Sequence, residues 1–139
     1  FVQDNQSSSN RGVLRGLHFQ NAPYAQTKLV RVLSGAILDI AVDIRKSEST
    51  FGKYFSITLS AGNKKQLLIP KGFAHGFIVL SEEAEVFYKA DEYYYPQSEG
   101  GIIYNDPTIG IDWQVNPDEF VLSDKDKVHP EISAANFVF

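Results

Sequence analysis

Apolar residues recur at every second position along most of this chain, and that period of two constrains its fold more than any other feature, because it marks strands with one buried face. Helical periodicity is nearly absent. The alternation predicts strands over 12–20, 27–33, 36–44, 53–60, 65–70, 76–80, 84–91 and about 101–104, separated by turn sequences such as Ser34-Gly35, Ala61-Gly62-Asn63 and Lys71-Gly72. Aromatic residues make up 13% of the chain, which suits pleated surfaces. Eight or so short strands in succession predict an all-β fold, a sandwich or a jelly-roll barrel. Residues 105–130, punctuated by Pro107, Gly110, Pro117 and Pro130, predict an irregular tail with a helical turn begun at Ser123. No linker, internal repeat or low-complexity stretch divides the sequence.

At 139 residues, 43% of them hydrophobic, the chain suffices for one domain with a real core, spanning 1–139, and is too short for two ordinary ones. Thirteen Lys and Arg against 17 Asp and Glu give a net charge of -4, which disfavours nucleic acid or an anionic membrane as the main partner but allows a local basic pocket. Cysteine is absent, so disulfides and thiolate metal sites are excluded. No stretch has the length of a membrane span or the layout of a signal peptide, and a cytoplasmic protein is expected. Asn5-Gln6-Ser7 matches the glycosylation triplet, a pattern that polar segments produce by chance. With no methionine and an opening on Phe1-Val2, the start of translation is expected to lie upstream or to have been removed.

Two strands carry residues that a plain core strand avoids. In AILDIAVDI (36–44), Leu38, Ile40, Val42 and Ile44 form an apolar row, while Ile37, Asp39, Ala41 and Asp43 form a mixed one. The first row suits a core or a subunit contact; the second suits a polar cavity that supplies partners for the two carboxylates, or else a barrel mouth where they sit in water. In VLRGLHFQ (13–20), regular alternation points Arg15 and His18 to opposite faces. Only a bulge brings both into one cavity, and Gly16, free to take a positive φ, is the residue that permits one.

Of the three histidines, His129 lies in the polar tail before Pro130 and is expected to be solvated. His18 and His75 lie in strands, where the plain reading is a core histidine with satisfied nitrogens. Their company argues for more. His18 has Arg15 and Lys28 near it in the chain, and EVFYK (85–89) sets Tyr88 beside Val86 and opposite Phe87 and Lys89. Small β-barrels often hold iron, manganese or zinc through a His-x-His pair, a carboxylate and a further histidine. This chain has no His-x-His, and although His18 and His75 could ligate with Asp39 or Asp43, no metal is expected. No serine occupies a nucleophile elbow, and Gly52-Lys53 lacks the rest of a P-loop. Acid and base chemistry remains, with His as base, Tyr as acid, and Lys or Arg to hold negative charge.

FVQDN (1–5), VLRGLHFQ, AQTKLVRV, ILDIAVDIRKS, STFGKYFSITLSAGN, LLIPKGFAHGF, EVFYKADEYYYPQSEGGIIYNDP, IGIDW and LSDKD follow one another in the order, and with nearly the spacing, of one family. On these motifs, which cover almost the whole chain, the sequence resembles the dTDP-4-dehydrorhamnose 3,5-epimerases, the sugar-nucleotide epimerases of rhamnose synthesis. The resemblance implies a jelly-roll barrel of the cupin type, a homodimer with exchanged strands, a dTDP-sugar substrate, no metal and no cofactor. It makes His18 the general base, Tyr88 the general acid, Asp126 the carboxylate that orients His18, and Lys28 the cation that steadies an enolate. Arg15, Gln3, Asn5, His75, Glu99 and Lys125 correspond to substrate-contacting positions, Gln3 and Asn5 in the neighbouring subunit's site. Asp39 corresponds to a buried support for the histidine region. The family also has an N-terminal section before FVQDN, with an arginine and a glutamate that contact substrate, which this sequence lacks.

The reaction so implied inverts C3 and C5 of dTDP-4-keto-6-deoxyglucose to give dTDP-4-keto-rhamnose. The C4 keto group acidifies the hydrogens on both neighbouring carbons, and removing either leaves an enolate with its charge on the C4 oxygen, which Lys28 would meet in a water-poor site. Return of the proton from the opposite face requires a second group, and a neutral Tyr88 supplies it. Arg15 offers a bidentate fork to the diphosphate, and Tyr93, Tyr94 or Tyr95 a face to the base or sugar. A single-position epimerase of another deoxysugar pathway would share these motifs. A non-catalytic sugar-nucleotide binding module has no need of a base and an acid together, and a metal-dependent cupin oxygenase would require bound iron, manganese or zinc.

Overall fold

The computed structural model describes residues 1–139 as nine strands: β1 (Gln3–Asn10), β2 (Leu14–Gln20), β3 (Lys28–Ser34), β4 (Ala36–Asp43), β5 (Tyr54–Ser60), β6 (Leu67–Ile69), β7 (Phe73–Val79), β8 (Glu83–Ala90) and β9 (Glu99–Gly101). They form two antiparallel sheets, ordered β1-β8-β3-β6 and β5-β4-β7-β2-β9. The pairs β1–β8, β2–β7, β3–β6 and β4–β5 nest inside one another, which is the strand order of a jelly roll. The fold is the expected all-β one of the cupin type, with the two sheets left unjoined at their edges instead of closed into a full barrel.

The strand that alternation misses is β1. Its sequence QDNQSSSN contains no hydrophobic residue, so it offers no apolar period to read. It is a strand because all eight of its residues pair with β8, from Gln3 opposite Ala90 to Asn10 opposite Glu83. The predicted strand at 76–80 begins earlier, at Phe73, and the one at 101–104 is instead the short β9. At Ser123 the expected turn forms without extending into a helix: its carbonyl accepts from the Asp126 and Lys127 N–H groups, and its Oγ from the Asp126 N–H.

Both faces of the five-stranded sheet are buried at its centre, along β4 and β7. Outward, Leu38, Ile40 and Val42 of β4, with Ile44 just past its end, pack with Leu14, Leu17, Phe19 and Ile78 beneath Ile102, Ile109, Trp113, Ile132 and Phe137 of the tail. That apolar row is therefore core, and fully burying side chains of this size contributes roughly 1.5–3 kcal/mol each. Inward, Ile37, Ala41, Phe77 and Val79 meet Val30, Val32, Ile69 and Val86 of the other sheet. Of the two carboxylates on the mixed row, Asp39 is fully buried and paired with His75, while Asp43 at the strand end is closed by Arg45 and Thr50. The space between the sheets is thus apolar toward β5 and β6 and polar toward β1 and β9.

Candidate active site

The polar half of that space is a cavity with two lobes, of about 240 and 400 Å³, which share Asn5, His18, Lys28 and Tyr88. Strand β2 enters it irregularly. Its pairing with β7 slips between Arg15 and His18, and Gly16 takes a φ of +129°. A Cβ at Gly16 would lie 2.6 Å from Gly76 Cα and 2.8 Å from the His75 carbonyl oxygen, so only glycine fits. The slip overturns strict alternation: Leu14, Leu17 and Phe19 face the tail-covered core, while Arg15 and His18 both line the cavity. The expected bulge is found. Gly76, its counterpart on β7, was not singled out from sequence, yet its own Cβ would meet the Arg15 carbonyl at 2.8 Å.

His18 Nε2 stands 2.6 Å from Asp126 Oδ1. Asp126 is buried, and its carboxylate also meets the Gly16 N–H at 3.4 Å and His129 Nε2 at 3.1 Å. Burial alone would raise its pKa, but the hydrogen bond and charge of His18, with the bonds from Gly16 and His129, carry it down to about 2. A carboxylate can only accept, so His18 Nε2 carries the proton and the lone pair of the neutral ring is on Nδ1. His129 departs from expectation. Its side chain is only 11% exposed, because the turn at Ser123–Asp126 folds this polar segment back so that the His129 ring stands edge-on to His18.

The facing sheet supplies Lys28 from β3 and Tyr88 from β8, with Lys28 Nζ 5.6 Å from the Tyr88 ring centre. Burial pulls the Lys28 ammonium down to about 8, against the charges of Asp39 and Glu99 that favour it. Burial, with the charge of Glu99, pushes the Tyr88 phenol up and keeps it a neutral donor. His75 lines the larger lobe and contacts Asp39 Oδ1 at 2.6 Å, leaving Asp39 Oδ2 without a partner.

Gln3 and Asn5 line the cavity of their own chain, where β1 pairs with β8 and sets Asn5 opposite Tyr88. Gln3 Nε2 donates to Asn5 Oδ1 at 3.1 Å, and Asn5 Nδ2 has no partner within the chain. At the mouth, Glu99 accepts from Tyr94 Oη at 2.6 Å and from Lys125 Nζ at 2.7 Å, so Lys125 reaches the site through Glu99. Arg15 is exposed at the rim of the larger lobe, 3.3 Å from Ser9 Oγ. Of the tyrosine run, Tyr94 lines the cavity, Tyr95 stacks on Tyr24 at 3.8 Å, and Tyr93 points to solvent. Gln20 and Gln26 were missed from sequence. Gln20 anchors the tyrosine run through Tyr24, Tyr93 and Tyr95 backbone groups, and a buried amide at a strand end was its only signal.

The donor atoms of His18, Asp126 and His129 lie within 4.8 Å of one another, a group that could hold a metal ion. Their spacing is that of hydrogen bonds: ligands ~2.0–2.1 Å from a tetrahedral metal stand roughly 3.3 Å apart, wider than the 2.6 Å between His18 and Asp126. Chemically, the arrangement puts a base on one wall and a cation with a weak acid on the other. That suits removal of a proton from carbon and its return from the opposite side.

A family model described as dTDP-4-dehydrorhamnose 3,5-epimerase matches residues 1–134. The chain is 59% identical to the dTDP-4-dehydrorhamnose 3,5-epimerase of Shigella flexneri over 127 residues, which are 91% of this chain and 68% of that protein. The crystal structure of a dTDP-4-dehydrorhamnose 3,5-epimerase from Elizabethkingia anophelis superposes with a TM-score of 0.94 at 50% identity, covering 96% of this chain and 73% of that one. A dTDP-6-deoxy-D-glucose-3,5-epimerase from Legionella pneumophila, solved in complex with dTDP-4-keto-L-rhamnose, gives 0.93 at 50% identity, covering 96% and 70%.

Proposed function

The chain belongs to the dTDP-4-dehydrorhamnose 3,5-epimerase family, and we propose that its cavity performs the epimerisation with His18 as base, Tyr88 as acid and Lys28 as the partner of the developing oxyanion. The enzyme is an isomerase that inverts C3 and C5 of dTDP-4-keto-6-deoxyglucose. The observation that carries the residue assignment is the division of these groups between two sheets. His18 comes from β2 and faces Lys28 and Tyr88 from β3 and β8 across one cavity, so a flat sugar ring between them presents opposite faces to base and acid.

His18 Nδ1 takes the proton from C3 or C5, and the C–H electron pair moves through the ring bond onto the C4 oxygen. Lys28 donates to that oxygen, and Asp126 holds the imidazolium that forms. The Tyr88 phenol then delivers a proton to the same carbon from the other face, and solvent restores the phenol and the imidazole. Asn5 Nδ2, with Gln3 beside it, is free to bind sugar hydroxyls. The Arg15 guanidinium at the rim meets the diphosphate. His75, Glu99 and Lys125 complete the substrate contacts.

A homodimer with exchanged strands belongs to the same proposal. Leu33 and Leu68 are exposed on the outer face of the four-stranded sheet, where Arg31 and Lys89 lie over the Phe87 ring. Light scattering at two concentrations reads the mass directly. The test of the chemistry is incubation with dTDP-4-keto-6-deoxyglucose in heavy water, followed by NMR. Deuterium at C3 and C5 with both centres inverted is the expected outcome. Label at one carbon would mean a single-position epimerase, and label at neither would mean a binding module.

A further inference from the structure

His129 takes no part in the scheme above, yet it reaches the same carboxylate oxygen as the base. Its Nε2 lies 3.1 Å from Asp126 Oδ1, the atom that His18 meets at 2.6 Å. Its ring stands edge-on to His18, 5.5 Å between centres and 79° between planes. The neighbouring strand makes room for it. Gly101 of β9 is paired directly with His18, and a Cβ there would fall 2.3 Å from the His129 ring. Apart from His18, only His129 and the Gly16 N–H donate to the Asp126 carboxylate.

We propose that His129 is a positioning residue that donates a hydrogen bond to Asp126 and so limits how strongly this carboxylate draws a proton onto His18, keeping the base free to accept one from substrate. The inference rests on the reading of His18 as base. A carboxylate oxygen that accepts two N–H groups has less negative charge to offer each, and the bond also fixes the rotamer that aims Oδ1 at His18. Burial and the charge of His18 hold the His129 pKa below its ordinary value in spite of Asp126, so its ring stays a neutral donor. The remaining groups around the pair are Arg15, Lys28, His75 and Tyr88 on the cavity side of His18, Glu99 at the mouth, and Lys125 beside His129. None of these bonds to Asp126.

Three variants test this: His129→Phe fills the space without a donor, His129→Ala empties it, and His129→Gln restores a neutral N–H. The acid limb of the kcat/KM profile should move to higher pH by about half to one unit in the first two, the size of one hydrogen bond, and return close to wild type in His129→Gln. NMR titration of the His18 ring in the free protein should show the same movement. An unmoved His18 titration in folded His129→Phe and His129→Ala overturns the proposal, as does a shift that His129→Gln fails to reverse. If the ring titration moves as expected but the kcat/KM limb does not, His129 acts on His18 as proposed and it is the assignment of His18 as base that falls.

Discussion

Two histidine–aspartate pairs share this cavity with the same 2.6 Å separation between Nε2 and Oδ1, and they differ in almost every other respect. His75 and Asp39 sit on adjacent strands of one sheet, with side chains 8% and 0% exposed. His18 is 29% exposed, and its aspartate comes from the tail, 108 residues away in sequence. Asp126 is satisfied by Gly16 and His129 as well as by His18, whereas Asp39 Oδ2 has no partner. A hydrogen-bonded pair therefore does not by itself mark a base. Under the proposed assignment the open pair offers substrate an imidazole nitrogen, while the sealed one ties β7 to β4 and sets the charge of Asp39 near Lys28.

The sharpest way to break this contrast is to remove each imidazole in turn. His18→Ala should lower kcat/KM by about 10³–10⁴ and abolish deuterium incorporation at both carbons. His75→Ala, losing a substrate contact, should cost about tenfold and leave exchange intact. Exchange surviving in the first variant and vanishing in the second would reverse the assignment of the two pairs.

Tyr88→Phe removes the acid while leaving the open pair in place. Solvent exchange should continue while inverted product falls by about 100-fold; wild-type yields of inverted product would mean that Tyr88 is not the acid.

Lys28 separates activity from stability. Because its folded pKa of about 8 lies below that of an ordinary lysine, its charge burdens the fold below pH 8, and that cost fades as pH rises toward 10.4. Lys28→Met should therefore raise Tm at pH 7 while reducing kcat/KM by roughly tenfold to 100-fold. Wild-type activity should decline as pH passes through about 8 and the free enzyme loses this cation.

The smallest effect belongs to Asp126 of the open pair. With its pKa lowered to about 2, Asp126 contributes stability that is fully present above pH 4 and is lost as pH falls toward 2, about 1–2 kcal/mol in urea unfolding. Asp126→Asn should remove this acid-dependent loss. An acid-dependent loss that persists unchanged in Asp126→Asn would mean that its partners do not hold this carboxylate down.

The legible parts of this molecule are those where a residue conflicts with its surroundings. Gly16 between Arg15 and His18 announces a bulge because no regular strand can serve both side chains, and Asp39 in an apolar strand announces a partner. β1 was hidden because its inward row, Gln3, Asn5, Ser7 and Ser9, faces a polar cavity and not a core, so no apolar period exists to detect. Asp126 was reached through resemblance alone. Nothing local in LSDKD says that its second aspartate lies beneath a strand more than a hundred positions earlier. His129 was misread for a related reason: the Lys and Asp residues around it suggest solvent, and only the turn at Ser123 and the missing side chain at Gly101 bring it inside.

The span between His18 and Asp126 also ties the proposed base to the docking of the tail. Every cavity-lining strand is contained in residues 1–101, whereas the partner of His18 lies beyond them in the tail that also covers the outer face of the five-stranded sheet. Under the proposed assignment the base is oriented only when Asp126 is docked, with Val121 bonded to Gly12 and Leu14. Turnover would then report that the segment from Val121 to Asp126 is in place. For protein engineering, this makes the tail a natural half of a split enzyme, in which restored turnover would register the joining of two separately made pieces.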